Sequence, residues 1–234
     1  MFVFKAMRFF LLPTAHSLSL AEGGGGNLPL AAPLFWPGSF SIQENLAPLQ
    51  RIETSLPGVY ELRPRVFQDS RGFFLETYHR GKFAELGIMD AFVQDNHSSS
   101  SMGTLRGLHY QLRHPQAKLC RVIEGEAFDV ALDIRVGSPT FGRWAGLLLS
   151  AREQNQIYIP TGFAHGFVAL TERVQFLYKC SDFYDPADER GIFWNDPALN
   201  ISWGITSPLI SEKDAKYPTL SCVSPENLPR YPGK

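Results

Sequence analysis

Cysteine is scarce in this 234-residue chain. Cys120, Cys180 and Cys222 stand far apart and are odd in number. That excludes a C-x-x-C zinc or redox motif and an even disulfide framework, and it leaves free thiols suited to a reducing compartment. An excess of one charge is lacking too. The 22 Lys+Arg and 23 Asp+Glu leave a formal net charge of −1, so nothing general attracts the chain to nucleic acid or to a membrane surface. Any anion must be held by a local cluster of cations. No stretch of 18 uncharged apolar residues occurs in the well-patterned part of the chain, which argues against a spanning helix there. Hydrophobic residues make up 44%, enough for a core and too many for global disorder. With 20 glycines and 17 prolines, the composition points to a turn-rich, strand-rich fold.

Residues 1–50 differ from the rest. They carry four charges (Lys5, Arg8, Glu22, Glu44), five prolines and the glycine run at 23–26, a linker composition without helix or strand period. The start has a weak signal-like pattern: Lys5 and Arg8, an apolar run at 9–12, then Ser19 and Ala21. Pro13 and His16 interrupt it. The expectation is an unmatched leader at 1–50, a single domain over 51–220, a tail at 221–234 and a cytoplasmic protein.

From about residue 51 short alternating segments dominate. In the clearest, Phe128, Val130, Leu132 and Ile134 alternate with Ala127, Asp129, Ala131 and Asp133, the period of a strand with one buried face. Similar runs lie near 59–67, 73–79, 104–112, 118–124, 144–149, 156–159, 163–170 and 174–180. Turns such as Gly125 and the segments 137–139 and 160–162 separate several of them. A short helix is expected near 80–87, ending at Gly87. Eight or more short strands at this spacing imply a mainly all-β sandwich or closed barrel.

Histidines recur near these strands: His97, His109, His114 and His165. The segment PTGFAH at 160–165 resembles the second metal motif of cupin barrels. The matching H-x-H pair is absent, however, since Tyr110 and Gln111 follow His109, and position 169 is Ala where Asn is usual. Three or four ligands cannot be assembled that way, so no metal is expected. Polar residues inside a barrel then act as acids, bases and hydrogen-bond donors. Arg106 and His109 come from one strand, Lys118 from the start of another, and Tyr178 shares a face with Val174 and Phe176. A lone inward Tyr or His is commonly just a satisfied core residue, but a His, Lys, Tyr and Arg in one apolar cavity suit proton transfer. Arg106 and His109 are three apart, and a regular strand would send them to opposite faces. Both reach one cavity only if the chain bends, and Gly107 is where a bulge is expected.

An ordered series of segments carries a family resemblance: PRVFQDSRGFFLE at 64–76, FVQDNHS at 92–98, LRGLHYQ at 105–111, FDVALDIR at 128–135, IPTGFAHGF at 159–167, FLYK at 176–179, WNDP at 194–197 and LISEKD at 209–214. Over about 51–220 the chain resembles the dTDP-4-dehydrorhamnose 3,5-epimerases. The resemblance implies a cupin-type double-sheet β-barrel (jelly roll) with short helices, no cofactor, a nucleotide-sugar substrate and a homodimer. It implies His109 as the base, Asp214 as its orienting carboxylate, Tyr178 as the acid on the opposite face, and Lys118 beside the developing enolate oxygen with Arg106. Substrate contacts would fall to Arg71, Glu76, Gln94, Asp95, Asn96, Arg106, His165, Glu189 and Lys213, with Tyr184 stacking on thymine. Phe183 stands where the family often has a first tyrosine. Arg71 and Glu76 are expected to serve a partner's site. Two alternatives stay open: an epimerase acting at C3 or C5 alone on another dTDP-4-keto-6-deoxy sugar, and a non-catalytic cupin that binds a nucleotide sugar.

Overall fold

A computed structural model describes residues 48–232, so the leader and its signal-like start lie outside the described residues. The chain runs β1 (Gln50–Glu53), β2 (Tyr60–Arg63), β3 (Val66–Asp69), β4 (Gly72–Leu75), α1 (Arg80–Glu85), β5 (Gln94–Ser101), β6 (Leu105–Gln111), β7 (Lys118–Glu124), β8 (Glu126–Asp133), β9 (Trp144–Ser150), β10 (Gln156–Ile159), β11 (Phe163–Ala169), β12 (Arg173–Cys180) and β13 (Glu189–Gly191), then three short 3-10 turns. Two antiparallel sheets face each other, in strand order β1-β2-β10-β7-β12-β5 and β13-β6-β11-β8-β9, while β3 and β4 form a separate hairpin. This is the double-sheet barrel the alternating pattern implies. Pro64, which cannot donate to a ladder, divides the run near 59–67 into β2 and β3.

Between the sheets lies one core, with Cys120, Val122, Phe163, Phe167, Val174 and Phe176 among its members. Phe167 and Phe176, from opposite sheets, stack with centroids 4.0 Å apart. Burying an aromatic side chain of this kind stabilises by roughly 1.5–3 kcal/mol. The expectation of one buried face for residues 127–134 is corrected here. The interior face of β8 is Ala127, Asp129, Ala131, Asp133, while the bulkier Val130, Leu132 and Ile134 point outward. They are nevertheless buried, because Leu199, Trp203, Leu220 and Leu228 of the C-terminal segment cover them. The 221–234 region, as far as Pro232, therefore packs on the barrel: Tyr110 Oη donates to the Asn227 carbonyl at 2.9 Å, and Val136 bridges Arg230. On the far side of the six-stranded sheet, Phe83 of α1 packs with Leu62, Leu119 and Tyr158.

The irregularity expected near Gly107 is present. In the β6–β11 ladder His165 pairs with His109, yet Phe167 pairs with Arg106, so β6 holds one residue more than its partner over that stretch. Gly107 has φ +124°. A Cβ there would lie 2.5 Å from Gly166 Cα and 2.7 Å from the His165 carbonyl oxygen. Only glycine satisfies both constraints. Gly107→Ala is expected to lower stability by roughly 2–3 kcal/mol, which thermal unfolding would show as a fall of several degrees. An unchanged melting temperature would contradict the packing described.

Candidate active site

Strand alternation decides which side chains enter the barrel. On β7, Lys118 shares the interior face with Cys120 and Val122. On β12, Tyr178 follows Val174 and Phe176 and packs against the core. On β5, Gln94, Asn96 and Ser98 are half-buried while Asp95, His97 and Ser99 are exposed. On β6 the bulge turns both Arg106 and His109 inward. Gln94, Asn96, Ser98, Arg106, His109, Lys118 and Tyr178 line one cavity of about 750 Å³, together with His165, Tyr184, Glu189, Lys213 and Asp214.

At its centre His109 Nε2 lies 2.8 Å from Asp214 Oδ1. The Gly107 N–H donates to Asp214 Oδ2 at 3.2 Å, and the Asp214 N–H donates to Ser211 Oγ at 3.0 Å. Burial works to raise the Asp214 carboxyl, but the His109 hydrogen bond and charge, with Gly107 and Ser211, hold it below its ordinary value. Asp214 is thus a carboxylate that accepts from the Nε2–H of His109, which leaves Nδ1 as the nitrogen free to take a proton. Tyr217 meets the imidazole edge-on at 5.8 Å. Tyr178 sits on the opposite sheet. Burial, reinforced by Cys180, Cys120 and Glu189 and opposed by Arg106, pushes its phenol up to about 12, so it is a protonated donor at neutral pH. The Lys118 ammonium lies 5.8 Å from the centre of the Tyr178 ring.

The rim is built around Glu189. Lys213 Nζ and Tyr184 Oη both donate to its Oε2 at 2.7 Å, and its Oε1 lies 4.0 Å from His109 Nδ1. Burial would raise this carboxyl, but Lys213, Tyr184 and the charge of His109 lower it. The Tyr184 N–H donates to Gln94 Oε1 at 2.8 Å, which ties the rim to β5. Buried Asp188 accepts the N–H groups of Arg113 and His114 at 2.7 and 2.9 Å and so fixes the loop beneath. Deeper in, His165 Nε2 lies 2.9 Å from Asp129 Oδ2. Burial pushes this histidine down more strongly than Asp129 raises it.

Three residues expected at the site lie elsewhere in this chain. Asp95 faces the outside of β5, beside a recess of about 230 Å³, and accepts from Lys179 Nζ at 2.8 Å. Arg71, at the tip of the β3–β4 hairpin, is paired with Asp69, and Glu76 is paired with Lys82 at 2.7 Å. Among the described residues neither reaches the cavity of its own barrel. Conversely, Ser98, Gln116, Phe167 and Ser211 line the cavity and were not anticipated. Ser98 continues the Gln94–Asn96 face, but β5 is polar throughout and offers no hydrophobic alternation. Cys120, Asp129 and His165, supplied by three separate strands, bring three polar side-chain atoms within 4.8 Å of one another.

The family model described as dTDP-4-dehydrorhamnose 3,5-epimerase matches residues 53–221. The chain belongs to the dTDP-4-dehydrorhamnose 3,5-epimerase family. The family's enzyme from Pseudomonas aeruginosa is 56% identical over 162 residues, covering 68% of this chain and 90% of that protein. The one from Neisseria gonorrhoeae is 52% identical over 184 residues, which is 78% of this chain but 56% of the relative's length. Among solved structures, the Legionella pneumophila dTDP-6-deoxy-D-glucose-3,5-epimerase, crystallised with dTDP-4-keto-L-rhamnose, superposes with a TM-score of 0.77 at 46% identity, covering 79% of this chain and all of that one. Membership of the family makes the protein an isomerase and its barrel a cupin barrel. No helix among the described residues is long and apolar enough to cross a membrane.

The depressed Asp214 carboxyl has a pH consequence. As pH falls below the unfolded value of about 3.9, the unfolded chain takes up this proton before the folded one does. The stabilisation is therefore present above about pH 4 and is lost as pH falls through the folded value. Asp214→Asn is expected to flatten the acid limb of a stability–pH curve measured by denaturant titration. Parallel acid limbs for the variant and the parent would contradict it.

Proposed function

We propose that the protein inverts C3 and C5 of dTDP-4-dehydro-6-deoxy-D-glucose to give dTDP-4-dehydro-L-rhamnose, a step of dTDP-L-rhamnose biosynthesis, in the cytoplasm. The observation that carries this reading is His109 on one sheet, hydrogen-bonded to Asp214 of the first C-terminal turn, and a protonated Tyr178 on the sheet facing it, all lining one cavity. Carbons 3 and 5 flank the C4 ketone, so removal of either proton gives an enolate. Inversion requires a base on one face of the ring and an acid on the other. His109 Nδ1 takes the proton, and the Asp214 carboxylate stabilises the imidazolium and fixes its orientation. Lys118 and Arg106 supply positive charge to the enolate oxygen. The Tyr178 phenol returns a proton from the opposite face; at about 12 it stays protonated until it meets a carbanion. His109 then releases its proton to solvent and Tyr178 regains one, so the cycle closes without electron transfer and without a cofactor.

The nucleotide half lies toward the rim, with Tyr184 against thymine, Gln94 and Asn96 beside it, and Lys213 near the diphosphate. Guanidinium groups suit a diphosphate because they bond in pairs, yet Arg71 is remote from its own cavity. The β3–β4 hairpin that carries it exposes Phe67, Phe73 and Phe74 at 49, 58 and 68%. So apolar a finger is out of place in water. It is consistent with a homodimer in which each hairpin lies on its partner and brings Arg71 and Glu76 to the partner's site.

Reaction in deuterium oxide tests the chemistry. Label is expected at both C3 and C5 of the product, and label at one carbon alone would establish a single-site epimerase. His109→Ala is expected to slow exchange by about 10²–10⁴-fold. Tyr178→Phe is expected to keep exchange but lose inversion. Exchange at the full rate in His109→Ala would refute the assignment of the base. For the dimer, replacing Phe73 and Phe74 by Ser is expected to give a monomer by light scattering with a raised KM. An unmodified protein that is itself monomeric would refute the hairpin's role.

A further inference from the structure

Tyr217 stands beside His109 yet is not among the residues that line the cavity. Its ring meets the imidazole edge-on, at 73° with centroids 5.8 Å apart, a separation at which such pairs are favourable and directional. The turn that supplies Asp214 supplies this ring as well. Residues Asp214–Lys216 form a single 3-10 turn, in which the Ala215 N–H donates to the Ser211 carbonyl and the Lys216 N–H to that of Lys213. Tyr217 follows with extended backbone, φ −64° and ψ 147°, the conformation that Pro218 favours in the residue before it. The Pro218 carbonyl accepts the Phe193 N–H at 2.8 Å, which ties the turn to the segment after β13.

The strand beside His109 makes room for the ring. On β13, Gly191 stands directly opposite His109 in the ladder with β6. A Cβ at Gly191 would lie 2.3, 2.4 and 2.5 Å from Tyr217 Cε2, Cδ2 and Cζ, the three nearest atoms it would meet. Gly107 requires glycine for its φ as well as for space, whereas Gly191 has no left-handed φ, so space alone demands glycine there. The Tyr217 ring thus takes the place of the cross-strand side chain that would otherwise neighbour His109. Its hydroxyl does not explain the arrangement. Tyr217 Oη is buried without a hydrogen-bond partner among the described residues. Burial, reinforced by the charges of Glu189 and Asp214, pushes the phenol up, so it stays a neutral O–H. The ring is the part that acts on His109.

We propose that, with His109 as the base as read above, Tyr217 is a positioning residue. Its ring fixes the plane of the imidazole, so that Nε2 stays on Asp214 while Nδ1 stays aimed into the cavity. A hydrogen bond keeps most of its strength until its angle falls below about 120–150°. Asp214 alone therefore lets the imidazole tilt, and a tilt carries Nδ1 away from the proton it is to take. A ring set edge-on to the imidazole removes that freedom before the sugar arrives. A misplacement of about 1 Å can cost about 10²-fold in rate.

Steady-state kinetics of the full-length protein with dTDP-4-dehydro-6-deoxy-D-glucose, alongside thermal unfolding, test this. Tyr217→Ala is expected to lower kcat about 10- to 100-fold with little change in KM, because the cavity lining is intact. Tyr217→Phe, which keeps the ring, is expected to restore kcat. Gly191→Ala drives a methyl group into the ring and is expected to lower kcat by itself. Added to Tyr217→Ala it should cost nothing further, since the space is then vacant. A purely structural role would lower the melting temperature of Tyr217→Ala and leave the kcat of the folded protein unchanged. The proposal is overturned by a folded Tyr217→Ala with the parent's kcat, by a loss confined to KM, or by a Tyr217→Phe as slow as Tyr217→Ala. If Tyr217→Ala does not fold, Gly191→Ala decides, and a parent-like kcat there overturns the proposal. Turnover at the parent rate in His109→Ala would sink the assignment of the base and this role together. With His109→Ala slow, a fast Tyr217→Ala sinks the role of Tyr217 alone.

Discussion

The hydrogen bond between His109 and Asp214 is the interaction on which the site depends. The two residues are 105 apart in the chain, and the bond exists only because the C-terminal segment returns to the barrel and places a carboxylate behind the imidazole. The same carboxylate takes the Gly107 N–H, so the bulge that turns His109 inward is tied to the group that orients it. Losing His109 would leave Asp214 Oδ1, in a buried carboxylate, without this partner, which costs more than the bond itself contributes. The C-terminal turns are therefore part of the domain, and Leu220 and Leu228 hold them in place through the core they share with β8.

A barrel interior is a demanding place for polar groups, and this one divides along its length. Toward one part the sheets are joined by apolar contacts such as Phe167 on Phe176. Toward the cavity the same interior faces carry Lys118, Tyr178, His109 and Arg106. Low local polarity does two things there. It keeps the Tyr178 phenol protonated, and it strengthens each charge the polar groups present to a bound anion. Because His109 and Tyr178 belong to opposing sheets, a flat ligand lodged between the sheets presents one face to each.

Much of this was legible in the sequence, for reasons that differ by residue. Strands β7 to β12 showed themselves by alternation because each packs at least one apolar face. The bulge was legible because Arg106 and His109 are three apart with a glycine between them. Strand β5 was not, since its inward residues are Gln, Asn and Ser and its outward ones are polar too; only pairing with β12 makes it a strand. The two-faced burial of β8 was hidden because alanine and aspartate line its interior side, whereas the larger residues meet a C-terminal segment whose position no local pattern reveals. Asp95 entered the expected contacts through its motif neighbours, but the two-residue period of the strand turns it outward. Nor could spacing reveal that Cys120, Asp129 and His165 meet, because three separate strands supply them.

The proposed inversion requires base and acid on opposite sides of the sugar ring. A crystal structure of the protein with a bound dTDP-4-keto-6-deoxy sugar measures that directly. The ring is expected between the sheets, with His109 Nδ1 toward one face, Tyr178 Oη toward the other, and the C4 oxygen near Lys118. A ring with both groups on the same face, or one bound outside the His109 cavity, would contradict it.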